Sequence, residues 1–147
     1  MRLTTRGQYA VRALVMLVLT EKDGPVNLKR ISEKEGISLH YLEQLFSKLR
    51  KGEIVKSVKG PGGGYVLARD PENISVGEVI EMVDEPISPV FCVDHSKDAS
   101  ACHRSGECTT QWLWAELGDC IRDYLNSVSI HEVCEKARSR GLSTKQK

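Results

Sequence analysis

Hydrophobic positions recur at the spacing of amphipathic helices over the first third of the chain. Thr5–Gln8 has the spacing of a capping box, and the apolar run at 9–19 that follows it predicts a buried first helix. Asn27 predicts the N-cap of a short second helix that stops at Gly36. Ser38 then predicts the N-cap of a third helix, whose apolar positions are Leu39, Leu42, Leu45, Phe46 and Leu49. Two short helices joined by a tight turn containing glycine are typical of a helix-turn-helix.

The pattern changes from a helical to a strand period after the third helix. Residues 54–59 roughly alternate, 60–64 form a glycine-dense turn, and 65–68 return as a strand. Glycines at the tip let the backbone approach a phosphate or a groove floor, and Lys56 and Lys59 supply positive charge. A helix-turn-helix followed by a basic hairpin predicts a winged helix, with a plain surface hairpin as the alternative.

The second half predicts three more helices. Ser75 opens a short one that stops near Pro86, Thr109 or Thr110 opens a long one, and Ser129 opens the last. The long helix carries a near-heptad apolar stripe formed by Leu113, Leu117, Cys120, Tyr124 and Val128. The N-terminal helices already account for a core, so we expect this stripe to mediate self-association and not packing within its own domain.

These elements predict a mainly α fold with a small β-hairpin wing. We divide the chain into a winged helix-turn-helix DNA-binding domain (1–86), a cysteine loop (87–108), dimerisation helices (109–137) and a flexible tail (138–147). The homodimer contact is assigned to the helix at 109–127.

Charge is divided unevenly between the two halves. Residues 1–70 carry thirteen Lys and Arg against seven Asp and Glu, whereas 71–147 carry eight against thirteen. The basic half is therefore the candidate polyanion-binding half. No signal-like segment or bilayer-spanning apolar run is evident, so we expect a cytoplasmic protein that does not associate with membranes.

Three of the five cysteines, Cys92, Cys102 and Cys108, lie in a polar loop with no helical or strand period. Cytosolic thiols stay reduced, and an odd number of cysteines favours metal or redox chemistry over disulfides. Cys120 and Cys134 fall among apolar neighbours on predicted helices, and we expect both to be small buried residues.

The chain closely resembles the IscR-type, or Rrf family, transcriptional regulators, which are winged-helix proteins that carry an iron–sulfur cluster. The resemblance rests on the segments Met1–Thr4, Ile37–Phe46, Gly60–Tyr65 and Val76–Ile80. It implies a homodimer on partly palindromic double-stranded DNA, with the third helix in the major groove.

The DNA-contacting positions come partly from this resemblance and partly from residue chemistry. Gln44 can pair with adenine and Glu43 can accept from cytosine, although a solvated Glu43 that merely repels phosphate is the alternative. Lysines near them are expected to hold phosphates. The full set is Ser38, His40, Tyr41, Glu43, Gln44, Lys48, Lys51, Lys56, Lys59, Gly60, Gly62, Gly63 and Tyr65.

The resemblance also implies that Cys92, Cys102 and Cys108 hold the cluster, [2Fe-2S] foremost and [4Fe-4S] as the alternative. The family's best-known member adds a histidine where this chain has Gln111, and an amide is a poor iron ligand. His103, His95, Gln111 or a group of the partner subunit remain candidates for the fourth ligand.

The predicted function is therefore a DNA-binding regulator that senses iron–sulfur status, redox state or nitric oxide. A zinc-bound regulator and a metal-free thiol switch are the alternatives. No Cys-x-x-Cys pair, P-loop or Ser/His/Asp set suggests an enzyme.

Overall fold

Six α-helices and one β-hairpin make up the computed structural model, which describes residues 2–21, 24–94 and 102–142. In chain order they are α1 (Thr5–Thr20), α2 (Leu28–Glu35), α3 (Leu39–Lys51), β1 (Val55–Val58), β2 (Gly64–Leu67), α4 (Val76–Met82), α5 (Gln111–Ser127) and α6 (Ile130–Ser139). The mainly α fold with a hairpin wing is confirmed. Within the described residues, no helix has the length and apolar character needed to cross a bilayer.

The core is built around α1. This helix contacts α2, α3, α4, α6 and β2, and its Ala10, Ala13, Leu14 and Leu17 are fully buried. Phe46 of α3 is equally buried. α6 belongs to the same core, since Ile130 and Cys134 have no exposed surface.

Four of the predicted helix starts have the expected cap. Asn27 accepts a hydrogen bond from the Lys29 N–H at 2.8 Å, and Ser38, Ser75 and Ser129 cap α3, α4 and α6 in the same way. Each side chain satisfies an N–H that has no partner within the helix. Gly36 ends α2 at a positive φ of 66°, as expected of a C-terminal glycine.

Two other helix starts were predicted wrongly in their details. The N-cap of α1 is Thr4 and not Thr5, and its side chain does not cap the helix. The hydroxyl and N–H of Thr4 donate instead to the distant Glu85 carboxylate, which outcompetes the local cap. Thr110 occupies the N-cap position of α5, but its hydroxyl lies against the Cys108 thiol.

Three boundary or burial predictions also need correction. α4 ends at Met82, earlier than Pro86, because Asp84 takes a left-handed φ of 59° that a helix cannot contain. Leu39, in the first turn of α3, stays exposed. A short 3₁₀ turn over Phe91–Val93 interrupts a segment predicted to be irregular.

The wing is fastened to the start of α2. β1 and β2 pair antiparallel from Val55 opposite Leu67 to Val58 opposite Gly64. Tyr65 and Val26 exchange two backbone hydrogen bonds of 2.9 Å. A side chain at Gly64 would bring its Cβ within 2.3 Å of the Val26 carbonyl oxygen, so this position requires glycine.

α5 carries its apolar stripe on the outside of the single chain. Trp112, Leu113, Leu117 and Tyr124 are exposed, and Gly118 is buried beside Pro89. Cys120 is also exposed, so the prediction that it is buried is wrong for the single chain. It lies on the predicted stripe, together with the exposed Leu113, Leu117 and Tyr124. Cys134 is buried as predicted.

Candidate DNA interface and cysteine loop

The polar face of α3 is exposed, as its period predicted. His40, Glu43, Gln44 and Lys51 are all accessible, and the last turn holds the basic residues Lys48, Arg50 and Lys51. The buried face packs Leu42, Leu45, Phe46 and Leu49 into the core. α3 therefore packs on the core through its apolar face and exposes its polar face to solvent.

Two residues of the predicted DNA-contact set, Ser38 and Tyr41, make contacts within the protein at the start of α3. The Ser38 hydroxyl accepts from the Tyr41 N–H at 3.2 Å. The Tyr41 ring meets the edge of Tyr9 with 5.9 Å between ring centroids, and its hydroxyl lies 3.5 Å from that of Thr5. These contacts tie the start of α3 to the N-terminal half of α1.

The far end of α3 is tied to the segment after α4. Lys48 Nζ lies 2.5 Å from the Asp84 carboxylate. The hydrogen bond and positive charge of Lys48 lower the pKa of Asp84 below its ordinary value of 3.8, so this carboxylate is ionised at neutral pH. Sequence reasoning assigned Lys48 to a phosphate and did not find this partner.

The hairpin places an exposed basic arm beside a glycine turn. Lys56 and Lys59 are exposed, and Gly60 and Gly62 have positive φ of 100° and 78°. An added side chain at either glycine would therefore strain the turn. Tyr65, also in the predicted DNA-contact set, packs its ring edge-on against buried Phe46, with 5.0 Å between the ring centroids.

The three loop cysteines are free and partly exposed. Cys92 lies in the 3₁₀ turn, and Cys102 and Cys108 follow the undescribed residues 95–101, which contain His95. Hydrogen bonding by the Thr110 hydroxyl lowers the pKa of the Cys108 thiol, which favours the thiolate. His103 is exposed and Gln111 is half-buried at the first position of α5.

The described ranges bring no group of three or more His, Cys, Asp or Glu side chains within reach of one metal ion. The predicted cysteine ligands are thus available but not assembled. Three reduced thiols, one of them biased towards thiolate, nevertheless suit an iron–sulfur cluster in their donor chemistry. Holding one would require the loop to draw these thiols together.

A buried carboxylate lies at the junction between α4 and the loop. Glu85 is only 4 % exposed and accepts from the Thr4 N–H at 3.1 Å and from the Thr4 hydroxyl. Arg6 lies 3.9 Å away, and Gly7 leaves room for the Glu85 side chain, whose Cγ would lie 3.2 Å from a Cβ added there. Sequence reasoning missed Glu85, because its partner is 81 positions away and leaves no local signal.

Comparison with known proteins decides the class of this fold. A family model, Rrf2, described as an iron-dependent transcriptional regulator, matches residues 3–136. The chain belongs to the Rrf2 family. Its similarity to a curated Rrf2-type relative, the HTH-type transcriptional regulator IscR of Escherichia coli O1:K1, amounts to 44 % identity over 146 residues, covering 99 % of this chain and 88 % of the relative.

Solved structures support the same assignment. CymR, the global cysteine regulator of B. subtilis, superposes with a TM-score of 0.72 at 32 % identity, covering 92 % of this chain and 98 % of that one. T. potens IscR gives a TM-score of 0.72 at 31 % identity, covering 95 % and 90 %. This Rrf2 protein is therefore a winged-helix transcriptional regulator, which agrees with the expectation that it is not an enzyme.

Proposed function

We propose that this protein is a homodimeric transcriptional regulator whose DNA binding is set by an iron–sulfur cluster on Cys92, Cys102 and Cys108. The observation that carries the proposal is the link between the cysteine loop and α3. Asp84 and Glu85, adjacent residues at the root of the loop, contact Lys48 of α3 and the start of α1 respectively. A change in the loop therefore has two routes to the reading helix.

Support for the DNA surface comes from exposure and charge. The polar residues of α3 lie beside an exposed lysine arm in the basic half of the chain. We assign the base-reading role to Glu43 and Gln44, and the phosphate role to Lys48, Lys51, Lys56 and Lys59. Gly60, Gly62 and Gly63 would let the wing backbone approach the groove, while Ser38, Tyr41 and Tyr65 mainly hold the frame.

Support for the cluster comes from the donors. The three thiols are unbridged and accessible, and the family model is described as iron-dependent. A bound cluster would supply a centre that changes with redox state, iron supply or nitric oxide. [2Fe-2S] with a fourth protein ligand is the first choice, and [4Fe-4S] is the second. His103, His95, Gln111 and a partner-subunit group are the candidate fourth ligands.

Support for the homodimer comes from α5. Trp112, Leu113, Leu117 and Tyr124 expose large apolar surfaces on one helix, and such surfaces commonly mark protein interfaces. With α5 pairing two copies, the two α3 helices would address two half-sites of a partly palindromic operator.

The test is anaerobic purification followed by iron and sulfide analysis, visible absorption and Mössbauer spectroscopy. We expect about two irons per chain for [2Fe-2S]. Cys102→Ala should lose the colour and the iron, while the matched control Cys120→Ala should keep both. DNA binding is then compared before and after removal of the metal with a chelator. Equal affinity and sequence preference in both states would refute regulation by the cluster.

A metal-free thiol switch is a second candidate, because the Cys108 thiol is exposed and its pKa is lowered. It predicts sulfenic acid or disulfide formation without iron, lost in Cys108→Ser. One zinc per colourless chain would instead favour a structural zinc site.

A further inference from the structure

We propose that His40 is a positioning residue, which orients the Gln44 amide for adenine and does not itself read a base. This inference rests on the proposed reading role of α3 and names the residue that sets its specificity. His40 and Gln44 are four positions apart on α3, and both side chains are exposed on the polar face. His40 Nε2 lies 3.2 Å from Gln44 Nε2.

The chemistry of the two nitrogens fixes the direction of this hydrogen bond. An amide nitrogen has two N–H donors and no free lone pair, so it cannot accept. In this pair the Gln44 N–H is therefore the donor and the imidazole Nε2 of His40 is the acceptor. The Gln44 amide is then held with a defined orientation relative to the axis of α3.

That orientation leaves the recognition edge of Gln44 free. The amide nitrogen has two N–H donors, so after one is given to His40 a second N–H and the carbonyl oxygen still lack a partner in this pair. Together this N–H and oxygen complement adenine, whose N7 accepts and whose N6 amino group donates. A free glutamine would have to lose side-chain rotation on binding, whereas His40 removes part of that cost beforehand. Without His40 we expect discrimination for adenine to fall about twofold per half-site, which is what an exposed pair four residues apart on a helix contributes.

The experiment is selection of bound duplexes from a random library by the full-length wild type, Gln44→Ala, His40→Ala and His40→Gln. The base position that loses its preference in Gln44→Ala is the one read by Gln44. His40→Ala should lose preference at this same position. His40→Gln should regain it, because a glutamine carbonyl four residues earlier can accept the same N–H. Affinity for one duplex and its single-base variants, measured by fluorescence anisotropy, gives the fold-change.

Two controls separate positioning from general effects. His131→Ala removes a histidine from α6, outside α3, and should leave the selected motif unchanged. Thermal melts should show that His40→Ala folds as the wild type does, since the His40 side chain is exposed.

The other outcomes overturn the inference. A preference lost at a different base position in His40→Ala would mean that His40 reads its own base. An unchanged motif in His40→Ala, or no position lost in Gln44→Ala, would remove the positioning role. Failure of the wild type to select any motif would refute the proposed DNA reading itself, and the role of His40 with it.

Discussion

Replacing Asp84 with asparagine should strengthen DNA binding in a salt-dependent way. Asp84 holds the ammonium of Lys48 at 2.5 Å, so a lysine assigned to phosphate is occupied by a carboxylate of its own chain. The Lys48 side chain is 38 % exposed and that of Asp84 is 71 % exposed, so both can reach solvent and ions. Asp84→Asn removes the competing charge with little change in shape.

The size of the effect follows from counterion release. Each phosphate neutralised on B-DNA steepens the dependence of log affinity on log salt by about 0.9. Asp84→Asn should add one phosphate contact per subunit. The ratio of variant to wild-type affinity should therefore rise about fivefold per subunit as the salt concentration falls from 1 M to 0.15 M. Because Lys48 lowers the pKa of Asp84, the carboxylate is ionised throughout the neutral range, and the gain should be the same at pH 6 and pH 8.

The assay is fluorescence anisotropy of a labelled duplex titrated at several salt concentrations. Asp84→Asn combined with Lys48→Met should show no gain over Lys48→Met alone, because the added phosphate contact requires the Lys48 ammonium. Glu81→Gln removes an exposed carboxylate from α4 and is the matched control for net charge. The reasoning is refuted if the double variant gains as much as Asp84→Asn, or if Glu81→Gln gains equally.

Three further predictions concern stability and thiol chemistry. Glu85→Ala removes the acceptor of two hydrogen bonds from Thr4 and should cost about 1–3 kcal/mol, read as a lower Tm, whereas Glu85→Gln keeps an acceptor and should cost less. Burial raises the pKa of Cys134 to about 11, so its thiol should react with a disulfide reagent only after unfolding. Since the unfolded thiol ionises first, stability should fall as pH rises from about 9 towards 11. Gly64→Ala would meet the Val26 carbonyl and should lower the free energy of unfolding by about 1–3 kcal/mol in a denaturant titration.

Each of these predictions has a clear contrary result. Equal Tm values for Glu85→Ala and the wild type would show that the carboxylate does not anchor the N-terminus. Rapid native-state labelling of Cys134 would contradict its burial. An unchanged Gly64→Ala titration would mean that the wing is not held against Val26.

Local signals were enough to predict the helices and the wing. The spacing of Leu42, Leu45 and Leu49 predicted α3, and the caps Asn27 and Ser38 predicted the starts of α2 and α3, because caps and periodicity act within a few residues. Contacts between distant segments were not predictable in this way. Glu85 replaced the expected cap of α1, and its partner is far away in sequence.

The same distinction between local signals and other contacts applies to the candidate site. Exposure of His40 and Gln44 followed from the helical period, but the hydrogen bond between them depends on rotamers that the period does not specify. The Lys48–Asp84 pair depends on where α4 ends, which the left-handed turn at Asp84 decides. The exposure of Cys120 was missed because most of the apolar stripe to which it belongs on α5 is itself exposed in this chain.

The packing of α6 on the N-terminal core limits how this regulator can be truncated. The Val76 N–H donates to the Val128 carbonyl at 2.9 Å and the Ile130 N–H to the Ile74 carbonyl at 2.8 Å, so the segments flanking α4 and α6 are stitched together. The cysteine loop and α5 therefore lie between two segments that both pack on one core. Ile130 and Cys134 of α6 are part of that core. Truncation after α4 would remove the loop and α5 but also α6, and with α6 a part of the core. Shortening the protein therefore cannot separate α3 from the cysteine loop without losing core residues; only substitutions between α4 and α6 can alter the loop alone.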